Sequence, residues 1–215
     1  MATPTILIPT IPPTPSATCS LPMTRQRMTG FLRQYMMQHF SEPSQVEQPL
    51  FRDYVWKPTP DTGILIESVA TWKPKQTETR PAIVIKSHAW RPQVMGIANR
   101  MEGSRALDGF ERYTCLMGGT HTLFCIAGEE EEAELLGYEV FTELIAQSDP
   151  IRASLGLARF RVGELGESII LEESTQNFAV PVTVYYHHLN EWVVRPHVPV
   201  LQRFTIEAVE AMWRG

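Results

Sequence analysis

The chain has 215 residues, 43% hydrophobic and 20% charged, with a formal net charge of −5. That size suits one ordinary domain with a substantial core plus extensions, and the composition excludes wholesale disorder. The mildly acidic balance argues against a dedicated nucleic-acid binder, whose affinity rests on excess Lys and Arg near phosphates, although a basic patch can hide inside it.

No apolar run approaches the ~20 residues needed to cross a bilayer, so no membrane partner is expected. The N-terminus lacks a basic leader, and Pro9, Pro12, Pro13 and Pro15 interrupt any signal-like apolar stretch. The cysteines are Cys19, Cys115 and Cys125. Unpaired, buried-looking thiols fit assembly in a reducing cytoplasm.

Residues 1–23 read as an extended Pro/Thr-rich arm. The first 22 carry six prolines, five threonines and no charged side chain, which excludes helix and favours polyproline-like geometry. Such a segment reads either as a disordered tail or, since Ile6, Leu7, Ile8 and Ile11 are greasy for a linker, as an arm that lies along a neighbouring subunit. Burying four aliphatic side chains returns only ~1.5–3 kcal/mol apiece, against ~1–2 kcal/mol of backbone entropy per ordered residue, so such an arm orders only within a larger contact.

Residues 24–194 form the expected main domain. The stripe Met28, Phe31, Leu32, Tyr35, Met36 and Phe40 predicts a helix over 24–40, with Thr24 as N-cap and Ser41-Glu-Pro43 as the stop. Strands are predicted at 50–57, 63–72 and 81–90. A polar, glycine-containing loop follows at 91–109, long enough to act as an interaction element. Its Arg91, Arg100 and Arg105 are the candidate contacts to acidic partners or passing DNA.

Gly118-Gly119 splits a run of β-formers and predicts a tight hairpin of 110–117 with 120–127. That hairpin places Cys115 and Cys125 on opposite faces, where they cannot bridge. A helix over 129–148 follows, opened by Glu129 to Glu132 at the positive end of its dipole and closed by Asp149-Pro150. Strands at 157–165 and 168–171, joined at Gly166, precede a long strand at 177–188. In that strand Phe178, Val180, Val182, Val184 and Tyr186 share one face. Pro181 cannot donate to a ladder, which predicts a sheet edge or an unpaired position there. Residues 195–215 read as a C-terminal extension with a short helix at about 201–213.

No chemistry-bearing motif emerges. His187 and His188 point to opposite faces of a strand, and the other histidines lack ligand spacing, so no metal site is expected. Cys115 and His121 fall on opposite hairpin faces; Cys125 and His121 lie about 13 Å apart along one strand, beyond hydrogen-bond reach. The glycine-rich stretches lack a phosphate-binding pattern. No catalytic, cofactor-binding or metal-ligating residue is assigned, and no cofactor or enzymatic activity is expected. The fold class is α+β: a mixed, mainly antiparallel sheet packed against one or two helices.

The order helix, three strands, long loop, hairpin, helix, hairpin, long strand frames three stretches. They are 133–148, then Leu157-Ala-Arg-Phe-Arg-Val162, then Glu172-Glu173 with Phe178-Ala-Val-Pro-Val-Thr-Val-Tyr185. Together they resemble the tail terminator and tail-completion proteins of long-tailed bacteriophages, over roughly 24–192. The resemblance implies a virion neck protein, assembled in the host cytoplasm. Its subunits form a homo-oligomeric ring, usually of six, that caps the tail tube and docks on head-tail connector proteins while genomic DNA passes through transiently. A connector or stopper role in the same neck is the alternative. From other classes, a small cytosolic enzyme predicts a deep pocket with perturbed titratable groups, and a monomeric adaptor predicts peptide capture at a sheet edge.

Overall fold

A computed structural model describes residues 23–59, 62–73, 80–93, 100–105, 111–171 and 177–194. Helix α1 (Arg25–His39) begins where Thr24 Oγ1 accepts the Arg27 N–H at 3.1 Å, the predicted N-cap. Met28, Leu32 and Met36, four residues apart, point into the core, and Phe40 closes the helix beneath them. Helix α2 (Glu130–Ala146) carries three glutamates in its first turn and buries Leu136, Val140 and Leu144 at the same spacing. The predicted stop at Asp149-Pro150 is instead the first turn of a further short helix, α3 (Ser148–Ser154), where proline's missing N–H has no partner to lose.

Among the described residues the sheet holds eight strands: β1 (Leu65–Ser68), β2 (Ala82–Ser87), β3 (Arg91–Gln93), β4 (Arg100–Arg105), β5 (Glu111–Ala127), β6 (Arg159–Leu165), β7 (Ile169–Ile170) and β8 (Phe178–Val194). The order β1-β2-β5-β8-β6 is antiparallel except for the parallel β1–β2 pair, and the chain is an α+β fold. Both α1 and α2 pack on one face, where Ile66, Ile83, Ile85, Leu123, Cys125, Val182, Val184 and Tyr186 meet them in the main core. The opposite face holds a smaller cluster of Leu65, Ala82, Val84, Ile126 and Ala179 with Trp72, Phe124 and Leu171 against it.

Several expectations are corrected. The Gly118-Gly119 hairpin does not exist: β5 runs straight through both glycines and pairs with β8 from Glu111↔Val194 to Ala127↔Phe178. Neither glycine has a positive φ; among the described residues only Gly156 does, at 62°, in the turn between α3 and β6. What Gly119 supplies is space, because a Cβ there would sit 2.5 Å from Tyr186 Cζ and 2.7 Å from Trp90 Nε1. The two cysteines therefore lie ten positions apart on one strand, about 33 Å at ~3.3 Å per residue. That separation, not the facing of a hairpin, rules out a bridge.

The segment 50–57 is not a strand. It opens with a 3-10 turn at Pro49–Phe51 that buries Phe51 under the core, and Trp56 N–H then binds Phe40 O at 2.9 Å. Nor is 91–109 one long loop, since β3 and β4 inside it pair in turn with the N-terminal half of β5. Strands β6 and β7 do not form a hairpin; both pair with the same side of β8.

Pro181 is internal to the sheet, not at its edge. It stands opposite Phe124 on one side, and on the other the ladder breaks between Leu165↔Val182 and Ile169↔Ala179. The Gly166 N–H binds Pro181 O at 2.8 Å, so Pro181's imino nitrogen faces that same break, where a strand N–H is not needed.

Candidate functional site

The long strands β5 and β8 bring a buried polar chain to the helix face. Trp90 Nε1 donates to Tyr186 Oη at 2.9 Å, and Tyr186 Oη meets His121 Nδ1 at 3.2 Å. His121 Nε2 lies 2.9 Å from Thr29 Oγ1, which donates to Arg25 O at 3.0 Å. One assignment satisfies every link: His121 is neutral, protonated on Nε2, accepting from Tyr186 and donating to Thr29. Burial pushes the His121 pKa down to about 4; the Arg25 carbonyl opposes this, and the charges of His88 and Arg25 reinforce it. Burial likewise raises the Tyr186 hydroxyl to about 12, so it stays a donor. His121 in the middle of the chain is 0% exposed, whereas Thr29 and Trp90 at its ends are half-buried. The chain ties helix to sheet.

A second buried group joins α1 to α2. Glu139 accepts from His39 Nε2 at 3.0 Å and from the backbone N–H groups of Glu47 and Gln48 at 3.0 and 2.9 Å. Burial alone would raise its carboxyl, but these donors hold it below the ordinary value. Alongside, Tyr35 donates to Glu143, and its hydroxyl is raised by burial and then by that carboxylate. Glu139→Gln should destabilise the protein by about 2–3 kcal/mol in urea denaturation, because an amide cannot accept from all three donors and leaves one buried and unpaired. An unchanged midpoint would show that the carboxylate is not what holds 47–48 to α2.

The opposite sheet face carries an open cleft of about 520 Å³. His88, Arg91, Gln93, Gly118, Thr120, Thr122, Thr183, Tyr185 and His187 line it. Gly118 leaves its floor clear, with Gln93 Nε2 and His187 Cδ2 filling the space a side chain would take. His88 Nε2 bonds Thr122 Oγ1 at 2.9 Å, and Thr122 Oγ1 lies 3.5 Å from Thr183 Oγ1. Arginine, amide, hydroxyls and imidazoles line it without a carboxylate. Among the described residues no three His, Cys, Asp or Glu side chains are placed to hold a metal ion.

Of the candidate residues, Arg91 lines this cleft and Pro181 sits at the break between β6 and β7. Arg100 and Arg105 lie on β4, a strand in place of the expected loop. Ile6, Leu7, Ile8 and Ile11, with Glu172, Glu173 and the predicted C-terminal helix, lie outside the described residues. The buried networks were not anticipated, because their partners are far apart in sequence: Thr29 to His121, Trp90 to Tyr186, His39 to Glu139. No helix among the described residues is long and apolar enough to cross a membrane. The chain matches no protein-family model and no curated protein.

Proposed function

We propose that this chain is a non-catalytic, ring-forming subunit of a bacteriophage neck, a tail terminator that caps the tail tube and meets the head connector. The observation that carries the reading is a surface of unlike ends. Among the described residues the sheet ends at β1 on one side and at β6 on the other, and beside β6 runs a groove of about 610 Å³ lined by Leu135, Tyr138, Leu165, Gly166 and Val180, with Glu131 and Glu134 at its α2 wall. Tyr138 is 52% exposed, and Ile169 and Ile170 at the same edge are 45% and 61% exposed. Rings need head-to-tail contacts between two different patches, and contiguous exposed apolar surface marks such contacts. The matching surface proposed is the uncharged stretch with Ile6, Leu7, Ile8 and Ile11, which lies outside the described residues.

Three of the stretches behind the resemblance remain consistent with it: α2, β6 and the alternating strand that contains Phe178 to Tyr186. The single long β5 and the paired 91–105 segment depart from the expected element order. The purified protein should elute as a closed oligomer by light scattering and appear as rings by electron microscopy. Tyr138→Glu with Leu165→Glu, or removal of residues 1–22, should leave a folded monomer. A parent chain that stays monomeric at its highest soluble concentration would overturn the proposal.

A further inference from the structure

Among the described residues, the sheet face away from the helices carries a basic patch beside its apolar cluster, although the whole chain is acidic. Register places Lys86 opposite Thr122, Thr122 opposite Thr183, His187 opposite Arg159 and Tyr185 opposite Arg161. Arg91 stands opposite Gly118, which in turn stands opposite His187. Directly opposed residues share a face, so these side chains stand in rows on the side away from the helices. Lys86, Arg91, Arg159 and Arg161 are all exposed, and among the described residues none of them forms an ion pair.

One carboxylate enters the patch: Glu164 stands opposite Thr183, at the β6 end of the row that begins at Lys86. Glu191 is four residues beyond His187, past the patch, and Glu67 is tied to Arg33 at 3.0 Å. Glu130 to Glu132 and Glu134 belong to α2, with Glu129 at its N-cap, on the other side of the sheet. A net charge of −5 therefore says nothing of where the charges sit: the glutamates gather on α2, and Lys86, Arg91, Arg159 and Arg161 on the opposite sheet face.

The spacing suits an extended polyanion. Three strand spacings of ~4.8 Å and an offset of two residues put Lys86 and Arg161 about 16 Å apart across the sheet, while Arg159 and Arg161 are about 7 Å apart along β6. Between them lies the cleft, with hydroxyls at Thr120 and Thr183 and the Tyr185 ring, 40% exposed, at its centre. Guanidinium, ammonium and hydroxyl donors meet phosphate oxygens, and an exposed ring on a strand surface stacks on a base. An acidic peptide would use the charges but leave the ring without a role.

The geometry points to a nucleic-acid binding face, on which Lys86, Arg91, Arg159 and Arg161 neutralise backbone phosphates without reading sequence and Tyr185 receives a base. This inference stands apart from the ring reading, since the free chain is enough to test it, and either can fail alone.

Fluorescence anisotropy of the full-length protein with labelled single-stranded and duplex DNA provides the test. Four neutralised phosphates predict a log–log salt slope near −3, a loss of about 50- to 150-fold in affinity between 50 and 200 mM salt. Arg159→Ala with Arg161→Ala should roughly halve that slope, and Lys86→Ala, on another strand, should reduce it by about one; both sets are surface changes checked by an unaltered melt. Lys57→Ala, an exposed lysine outside the sheet, should change nothing. Tyr185→Ala should weaken the single strand roughly five-fold or more and spare the duplex. Absence of binding at low salt, salt-independent binding, indifference to the arginine pair, or equal displacement by polyglutamate at matched charge would each overturn the inference.

Discussion

Gly119→Ala is expected to destabilise the protein by about 3 kcal/mol, the upper end of what overpacking a dense core costs. The sign is unusual, because alanine in place of a strand glycine with ordinary φ normally gains a few tenths to 1 kcal/mol from the unfolded chain. Here the added carbon would lie 2.5 Å from Tyr186 Cζ, 2.6 Å from Tyr186 Oη and 2.7 Å from Trp90 Nε1. Tyr186 is 1% exposed and fixed between β5 and β6, so it cannot swing away, and separating it from Trp90 forfeits their hydrogen bond as well. Gly118→Ala is the control. Its nearest atom is the amide end of the exposed Gln93 at 2.9 Å, which rotates freely, so its cost should stay within about ±0.5 kcal/mol. Urea midpoints of the two variants decide the matter, with a fall of roughly 6–12 °C in Tm expected for the first alone. Equal effects at the two positions, or tolerance at 119, would contradict the account of β5 as a strand that needs a gap at Gly119.

The two glycines also show where local pattern misleads. A Gly-Gly pair between apolar runs is a strong hairpin signal when nothing else fills the space. In this chain its cause is tertiary, because the Tyr186 and Trp90 rings occupy the room above Gly119, and both partners lie more than 25 residues away in sequence. The same limit explains the segment 91–105. Two short polar strands, Arg91–Gln93 and Arg100–Arg105, carry no alternation of their own and pair only because the long β5 offers an unfilled edge. By contrast, α1, α2 and the strand bearing Phe178 to Tyr186 were legible, since each buries one face with the period of its own backbone.

The basic face was hidden for a related reason. Lys86, Arg91, Arg159 and Arg161 come from three separate strands, and only the register of β2, β3 and β6 on the β5–β8 pair collects them. Net charge carries no record of such sorting. The glutamates of α2 and the cations of the sheet face cancel in a sum, while their fields remain distinct at a ligand within one Debye length.

Stability should fall steeply on acidification from pH 6.5 towards pH 4, and His121 should account for about 3 kcal/mol of the loss. In the unfolded chain an imidazole titrates near 6.5, whereas in the fold burial holds His121 down at about 4. Between those values the unfolded state binds a proton that the native state refuses, so stability rises with pH there, by about 1.4 kcal/mol per unit, and is flat above 6.5 with respect to this group. Protonation would place an N–H on Nδ1, facing the Tyr186 hydroxyl that already donates to it, and the chain from Trp90 to Thr29 would have to reorganise. His188, also lowered by burial, adds loss in the same direction. Glu139, held below the ordinary carboxylate value, extends the loss to lower pH, while Glu132, raised by burial and by Glu129, works weakly against it. His121→Gln keeps one donor and one acceptor at the ring's position without a titrating group. It should lower stability at pH 7 by about 1–2 kcal/mol through imperfect hydrogen bonds, yet remove most of the slope between pH 6.5 and 4. Urea denaturation of both proteins across that range measures the difference directly. Parallel curves for the two would mean that His121 is not the group whose protonation unfolds the sheet from α1.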